Sequence, residues 1–287
     1  MKNRATAIGF TAVLFWSLLA VLTVGTAPVP PFLLNALCFG IGGSMGLIWL
    51  VISGDLRVLR RVSWRVYAFG TAALFGYHAL YFSALRMAPA AEASLIAYLW
   101  PLFIVLFSGF LPGERLRVLH VAGAGIAVVG AAFLVLRGGV GVQAAALPGL
   151  GLAFLCAITW AVYSVASRAF GAVPTAAVVV YCVATAVLSA GVHLAIEDTI
   201  WPVGAWGWAS VVGLGLGPVG AAFFAWDIGM KQGDIQVLGV ASYAAPLLST
   251  FALVLAGLAD ATPTLLVAAA MITGGAGLAA RASLAKA

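Results

Sequence analysis

The stretch "IAYLWPLFIVLF", residues 96–107, has a later copy in the chain, "ASYAAPLLSTFA", residues 241–252. The copies share a tyrosine and a proline at the same spacing, and a shift of 145 residues aligns them. A shift of 144 residues aligns three more pairs nearer the start of each copy, which indicates that the chain is a duplication. The aligned pairs are Tyr98 with Tyr243, Pro101 with Pro246, Trp16 with Trp160, Pro30 with Pro174, and Cys38 with Cys182.

The composition places both copies in a membrane. Of 287 residues, 64% are hydrophobic and 8% are charged, and the mean hydropathy is +1.15. Soluble domains carry about 25% charged residues. Apolar runs that approach the roughly 20 residues needed to cross a bilayer predict transmembrane helices. Ten such runs occur, at 5–26, 31–53, 64–85, 93–111, 118–136, 147–167, 174–196, 205–226, 235–258 and 263–280.

Each copy contains five of these runs, an odd number, so the second copy must enter the membrane from the opposite side. We therefore predict an all-α polytopic membrane protein whose ten transmembrane helices form two inverted five-helix repeats, residues 1–143 and 144–287. Inverted repeats are typical of transporters that bind substrate near the bilayer midplane, between the two halves. The alternative is a duplication that only stabilises a helical bundle.

The distribution of basic residues predicts the orientation. If both termini are cytoplasmic, 12 of the 14 lysines and arginines lie on the cytoplasmic side, and only Arg86 and Arg137 lie outside. This bias follows the positive-inside rule. The net charge of +6 is thus explained by membrane orientation, and we expect no nucleic-acid partner. The three cysteines lie in apolar runs without metal-binding spacing, and we expect neither a metal nor a cofactor.

Little of the chain is left for chemistry outside the membrane. The longest hydrophilic stretch, "GDLRVLRRVSWR", is residues 54–65, which is too short for a catalytic domain. No phosphate-binding Walker motif is present. We therefore expect a gradient-driven transporter that is not an enzyme and does not use ATP. A non-transporting membrane scaffold or sensor is the alternative from another functional class.

Aromatic and polar residues in the interior of the runs mark a candidate binding site. Helical spacing places Tyr77, His78 and Tyr81 on one broad face of the third helix. Counting about 1.5 Å per residue puts Tyr98 and Trp100 of the fourth helix at a similar depth. These positions are too deep for the interfacial aromatic belt, which leaves pocket lining or helix packing. The substrate-binding candidates are Tyr77, His78, Tyr81, Tyr98, Trp100, Trp160, Tyr163, Ser242 and Tyr243.

His78 is the clearest ionisable residue deep in a run, where such residues are functional by default. Burial away from anions favours neutral imidazole, so we expect a polar recognition contact, with a proton relay as the alternative. The matched prolines Pro101 and Pro246 should kink their helices and leave the carbonyls of Ala97 and Ser242 as acceptors. These kinks could act as gates or be static bends.

Several motifs identify a family. The segment "SALRMAPAAEASLIAYLWPLFIVLFSGFLPGERL", residues 83–116, resembles the EamA-type members of the drug/metabolite transporter superfamily. The resemblance extends over essentially the whole chain. The motifs "YLWP" (98–101), "WAVYS" (160–164), "FAWDIG" (224–229) and "SYAAPLLS" (242–249) more closely resemble the aromatic amino-acid exporters of the YddG type. One departure is "LADATP" in the second repeat, where the first has "PGERL" with Glu114.

The resemblance implies a multi-pass transporter of the bacterial inner membrane that exports aromatic and other neutral amino acids by alternating access. It also implies a central cavity near the aromatic candidates. The absence of arginine and lysine at depth argues against a strongly anionic substrate such as a nucleotide sugar. The alternative within the superfamily is a multidrug or lipophilic-cation efflux transporter. We expect the protein to function as a monomer, with a small-molecule amino-acid substrate and the lipid bilayer as its partners.

Overall fold

A computed structural model describes residues 2–108, 118–137, 144–166, 173–233, 242 and 244–284. All regular elements in these ranges are helical. The α-helices are α1 (Lys2–Ser17), α2 (Leu19–Gly25), α3 (Pro31–Ser53), α4 (Trp64–Met87), α5 (Ala90–Ala97), α6 (Trp100–Ser108), α7 (Val118–Arg137), α8 (Leu147–Ala166), α9 (Ala177–Ile196), α10 (Gly204–Leu216), α11 (Ala222–Gln232), α12 (Ala245–Leu255) and α13 (Pro263–Leu284).

The helices follow the predicted apolar runs, although the ninth run is described only from residue 242 onward. Within the described ranges, five helical stretches are long and apolar enough to cross a membrane, and several shorter apolar helices accompany them. The long stretches are Asn3–Gly25, Pro31–Ser53, Ala144–Ala166, Ala177–Ile196 and Gly204–Gly229. The structure therefore agrees with a helical membrane protein.

The two halves pack against each other in a reciprocal pattern. The most extensive contacts join α3 to α9, α7 to α13, α4 to α8, and α1 to α11. Each of these pairs takes one helix from each half. Exchanging the halves converts the first two pairs into themselves and converts the α4 and α8 pair into the α11 and α1 pair. This is the packing expected of two structural repeats related by a pseudo-two-fold axis.

Three of the helical segments are interrupted near their middle. The fourth segment breaks between α5 and α6, just before Pro101, because proline has no amide hydrogen for the carbonyl four residues back. The eighth contains a π-helical turn, Gly217–Ala221, that includes Pro218. The first breaks at Leu18, whose amide donates to the carbonyl of Phe15 at 3.0 Å. Only the break at Pro101 was predicted.

The π-helical turn explains why the two halves need two different shifts. A π turn adds one residue to an α-helix. The shift is 144 residues before this turn, as for Trp64 and Trp208, and 145 residues after it, as for Tyr98 and Tyr243. The helix α4 has no such turn. With the shift of 145, His78 of α4 corresponds to Phe223 of α11.

The two ends of the bundle differ in charge. At one end α1 begins, α3 ends and α4 begins, and Arg4, Arg57, Arg60, Arg61 and Arg65 lie there. We call this the basic end. At the opposite end, Glu197 accepts hydrogen bonds from the amides of Phe32 (3.0 Å) and Leu33 (3.1 Å). This carboxylate therefore satisfies free amides at the start of α3 and holds the two halves together there.

Candidate functional site

A small cavity lies between the halves at mid-depth in the bundle. Its volume is about 20 Å³, which is room for about one water molecule. An amino acid would therefore need these walls to separate. The lining residues are aromatic or apolar except for His78, and they are Trp16, Leu19, Tyr77, His78, Tyr81, Ala97, Tyr98, Trp100, Trp160 and Phe223.

Trp16 contacts several of the other residues that line the cavity. Its ring centroid lies 6.4 Å from that of Trp100 and 6.1 Å from that of Trp160, both in edge-on arrangements. Its indole Nε1 donates to the carbonyl of Pro218 at 3.2 Å, and its own carbonyl accepts from the Tyr98 hydroxyl at 2.8 Å. Both acceptor carbonyls lie at or next to a break in an α-helix. Trp16 therefore joins the irregular parts of three helical segments.

His78 lies on the wall, in the middle of α4, and is buried. Its Nδ1 is 3.0 Å from the carbonyl oxygen of Leu74, and because a carbonyl only accepts, Nδ1 must carry the hydrogen. The other ring nitrogen, Nε2, is then an acceptor, and it has no hydrogen-bond partner among the described residues. Phe39 and Phe223 enclose the imidazole at centroid distances of 4.8 and 5.6 Å.

The tyrosines form a second side of the cavity. The rings of Tyr77 and Tyr81 are stacked, with an interplanar angle of 7° and a centroid distance of 6.1 Å. The Tyr81 hydroxyl shares a hydrogen bond with the Ser94 hydroxyl at 3.1 Å. Tyr77 also contacts Trp160, at a centroid distance of 5.2 Å. The α4 face predicted from helical spacing thus faces the second half of the chain.

The structure brings together six of the nine sequence candidates, namely Tyr77, His78, Tyr81, Tyr98, Trp100 and Trp160. Tyr163 does not line the cavity, because it lies one helical turn beyond Trp160 toward the basic end. Ser242 is buried away from the cavity lining, and Tyr243 lies outside the described residues.

The two prolines take up similar local positions. Pro101 and Pro246 are each the second residue of a helix, α6 and α12, so they start helices rather than bend continuous ones. Ala97, whose carbonyl cannot receive a bond from Pro101, lies on the cavity wall. A wall position for the Ser242 carbonyl is not supported by the lining residues.

Sequence reasoning left out three wall residues, Trp16, Leu19 and Phe223. Two of them carried a signal, since Trp16 aligns with the candidate Trp160 and Phe223 aligns with the candidate His78. Leu19 carried none, because it is one of many leucines in an apolar run.

Aromatic rings close the bundle between the cavity and the basic end. Tyr163 stacks on Phe69 of α4 at a centroid distance of 5.5 Å. Tyr181 covers Gly70 so closely that a Cβ added there would lie 2.5 to 2.7 Å from three ring atoms. Both tyrosines belong to the second half and both of their partners to the first. These contacts join the two halves between the cavity and the basic end, and we call them the aromatic seal.

At the opposite end, Arg86 holds the connection between α2 and α3. Its guanidinium donates to the carbonyls of Val29 (3.1 Å) and Thr23 (3.2 Å) and to the hydroxyl of Thr26 (2.8 Å). These bonds satisfy a cation that is largely buried, and they attach the end of α4 to the turn after α2. Arg86 is therefore engaged in structure and does not face the cavity.

Comparison with known proteins gives a consistent result. The EamA-like transporter family matches the chain twice, at residues 4–136 and 147–281. An aromatic amino acid exporter, YddG of Ancylobacter novellus, is 55% identical over 281 residues, which is 97% of each chain. The YddG exporter of Salmonella typhimurium is 27% identical over 266 residues and 87% of each chain. One protein of known crystal structure, 53% identical, superposes with a TM-score of 0.79 over 100% of both chains.

Proposed function

The chain belongs to the EamA-like transporter family, and from this premise we propose that it exports aromatic amino acids across the bacterial inner membrane. The observation that carries the proposal is the cavity between the halves, whose wall, in the part of the chain that the structure describes, contains tryptophan, tyrosine and phenylalanine rings and no charged side chain. Such a wall suits a substrate that has an aromatic ring and no net charge. Other neutral amino acids with apolar side chains fit the same chemistry less well.

The binding mode follows from the polar atoms on the wall. Ring stacking contributes about 0.5–1.5 kcal/mol per aromatic pair. His78 Nε2 and the Ala97 carbonyl can accept hydrogen bonds from a substrate ammonium group. The indole N–H groups of Trp100 and Trp160 have no hydrogen-bond partner among the described residues and can donate to a carboxylate. A zwitterion with an aromatic side chain therefore finds a partner on this wall for its ring, its ammonium group and its carboxylate.

The membrane orientation follows from charge. In this proposal the basic end faces the cytoplasm, ten helical segments cross the membrane, and both termini are cytoplasmic. The two repeats, residues 1–143 and 144–287, then run in opposite directions. Transport needs no ATP, because it uses gradients of substrate or of a coupled ion, and a single chain contains the complete cavity. Arg86 and Glu197 lie on the outer side.

Alternating access follows if the repeats exchange roles. In the state that the structure describes, Trp16 Nε1 donates a hydrogen bond to the Pro218 carbonyl, and the Tyr98 hydroxyl donates one to the Trp16 carbonyl. In the opposite state, in which the repeats have exchanged roles, the residues aligned by the repeat shifts would form the same bonds. Trp160 Nε1 would donate to the Leu74 carbonyl, and the Tyr243 hydroxyl would donate to the Trp160 carbonyl. His78 now bonds the Leu74 carbonyl. A substrate that draws His78 away would release this carbonyl for Trp160, so binding favours the exchange.

The experiment is flux in vesicles reconstituted with purified protein. Labelled phenylalanine, tyrosine and tryptophan should cross faster than in protein-free vesicles, and glutamate and lysine should not. A lipophilic cation, tetraphenylphosphonium, tests the multidrug alternative. Transport of the cation without the aromatic amino acids would reject the proposal, and tight vesicles with no flux of any solute would favour a scaffold.

A further inference from the structure

One carboxylate lies within an apolar helix, at the level of the aromatic seal. Of the acidic residues in the described ranges, only Asp227 lies inside an α-helix more than one turn from either end, since α11 spans Ala222–Gln232. It is half-buried and accepts a hydrogen bond from the Thr175 hydroxyl. It follows the wall residue Phe223 by four positions, so it lies on the same face of α11, about 6 Å nearer the basic end.

Asp227 lies at the level of the rings between the cavity and the basic end. Its bond to Thr175 places it beside the start of α9, the helix that carries Tyr181. Tyr163 lies one turn beyond Trp160, which contacts Phe223 at a centroid distance of 5.9 Å, just as Asp227 lies one turn beyond Phe223. Tyr163 and Tyr181 are the two tyrosines that contact Phe69 and Gly70 of the other half. A movement that opens the cavity toward the basic end must separate these contacts. The same movement would bring the Asp227 carboxylate onto the route to the cavity.

The equivalent position on the other side of the cavity is apolar. With the shift of 145 residues that applies after the π-helical turn, Asp227 corresponds to Phe82 of α4. Phe82 is fully buried and contacts the His78 ring at a centroid distance of 5.6 Å. A substrate that approaches from the basic end therefore meets a carboxylate among tyrosines, whereas one that approaches from the opposite end meets a phenylalanine.

We propose that Asp227 is a capture site for the ammonium group of the substrate on the basic-end approach to the cavity, with Tyr163 and Tyr181 as its aromatic surround. The inference rests on the proposed transport function and extends it to a second, one-sided subsite. A carboxylate makes a charge-assisted hydrogen bond to an ammonium, and aromatic faces add a cation–π attraction. The substrate then moves about one helical turn to the cavity, where His78 and Ala97 receive its ammonium.

The test uses two competitors that each keep the phenyl ring and one charge. Phenethylamine keeps the ammonium group, and 3-phenylpropionate keeps the carboxylate. Each is applied from the basic-end side while phenylalanine flux is measured. Asp227→Asn should raise the inhibition constant of phenethylamine about tenfold, the cost of one charge-assisted bond, and that of 3-phenylpropionate less than twofold. From the opposite side, phenethylamine should inhibit both proteins alike.

Two further variants keep the test decisive. Asp260→Asn removes an exposed acid beyond α12 and should change neither constant. Thr175→Val keeps the carboxylate but removes its donor, so phenethylamine should inhibit at least as well as in the unsubstituted protein. That variant also serves if Asp227→Asn yields too little folded protein, and a severalfold loss of phenethylamine inhibition in it would contradict the proposal.

Unchanged phenethylamine inhibition in Asp227→Asn, or equal losses for both competitors, would overturn the capture site. Failure of the transport function is a different result, since it appears as absent phenylalanine flux in the unsubstituted protein. Phenethylamine binding to the purified protein, followed by tryptophan fluorescence, still measures the subsite in that case, and equal affinity in Asp227→Asn would reject it.

Discussion

The hydroxyl of Tyr98 donates a 2.8 Å hydrogen bond to the backbone carbonyl of Trp16 and so connects two broken helices. Tyr98 directly follows α5, and Trp16 lies just before the break between α1 and α2. In a membrane, a carbonyl freed by a helix break must find a donor within the protein. The bond therefore satisfies the break while placing both aromatic rings on the cavity wall.

Removing this hydroxyl should affect transport as well as stability. In Tyr98→Phe the Trp16 carbonyl loses its donor, which costs about 1–3 kcal/mol when the group is buried. We expect lower thermal stability and a severalfold loss of flux per folded molecule, because the wall is no longer held in register. The measurement is vesicle flux normalised to folded protein.

Tyr67→Phe is the matched control for that variant. The Tyr67 hydroxyl also donates to a backbone carbonyl, that of Leu59 at 2.7 Å, but it lies at the basic end away from the cavity. It should lose stability and keep its flux per folded molecule. Equal flux losses in the two variants would show that the Tyr98 bond has only a structural role.

The two aligned tryptophans should act on opposite states. Trp16→Phe removes the Nε1 bond to Pro218 and should lower the population of the present state about fivefold, as the loss of about 1 kcal/mol implies. Trp160→Phe removes no hydrogen bond of this state and should instead disfavour the opposite one. Spin labels at Met87 and Leu258, both exposed beyond the cavity, would report the populations as a distance distribution. Shifts in the same direction for both variants would refute the exchange of bonds.

The seal at the basic end depends on a missing side chain. In Gly70→Ala the new Cβ would lie 2.5 Å from the Tyr181 ring, so the buried ring or the two helices α4 and α9 must shift. Overpacking of this kind costs about 1–3 kcal/mol. We expect a lower melting temperature. We also expect small thiol reagents to pass the contacts at the basic end faster than in the unsubstituted protein.

Gly76→Ala is the control on the same helix, since its Cβ would find only Thr159 Cγ2, at 3.8 Å. It should be neutral or slightly stabilising, because alanine is the better helix former. Similar destabilisation of both variants would mean that backbone flexibility of α4, rather than contact with Tyr181, is what the glycines provide.

The carboxylate at the start of α3 should stabilise the outer side of the bundle. Glu197→Gln removes the charge that accepts from Phe32 and Leu33, and also the 2.9 Å contact with His193. Loss of such a capping charge costs about 0.5–2 kcal/mol. Thermal unfolding in detergent measures it. The neighbouring Asp198 is exposed, and Asp198→Asn should unfold at the temperature of the unsubstituted protein.

Much of the fold could be predicted because membrane helices appear in the sequence as long apolar runs. The depths of His78 and Trp100 followed from the rise per residue of an α-helix. The helix breaks were harder. Pro101 indicated one break, but the break at Leu18 has no proline and therefore left no local signal in the sequence. The π-helical turn left only an indirect trace, the change of repeat shift from 144 to 145 residues.

The residues that line the cavity could also be predicted only in part. Residues on one face of α4 could be grouped by helical spacing, which is a local property. Trp16 and Phe223 reach the wall through packing between the halves, which spacing within one helix does not contain. The position of Tyr163 depends on a similar detail, since one turn of α8 separates it from Trp160 on the cavity wall.

Counterflow tests the central claim most directly. Vesicles containing the purified protein are loaded with unlabelled L-phenylalanine and diluted into a trace of labelled L-phenylalanine. An alternating-access transporter of aromatic amino acids should accumulate label transiently above equilibrium, and His78→Phe should weaken this accumulation several-fold. Absence of transient accumulation in vesicles that hold folded protein, or accumulation driven equally well by internal glutamate, would contradict the account.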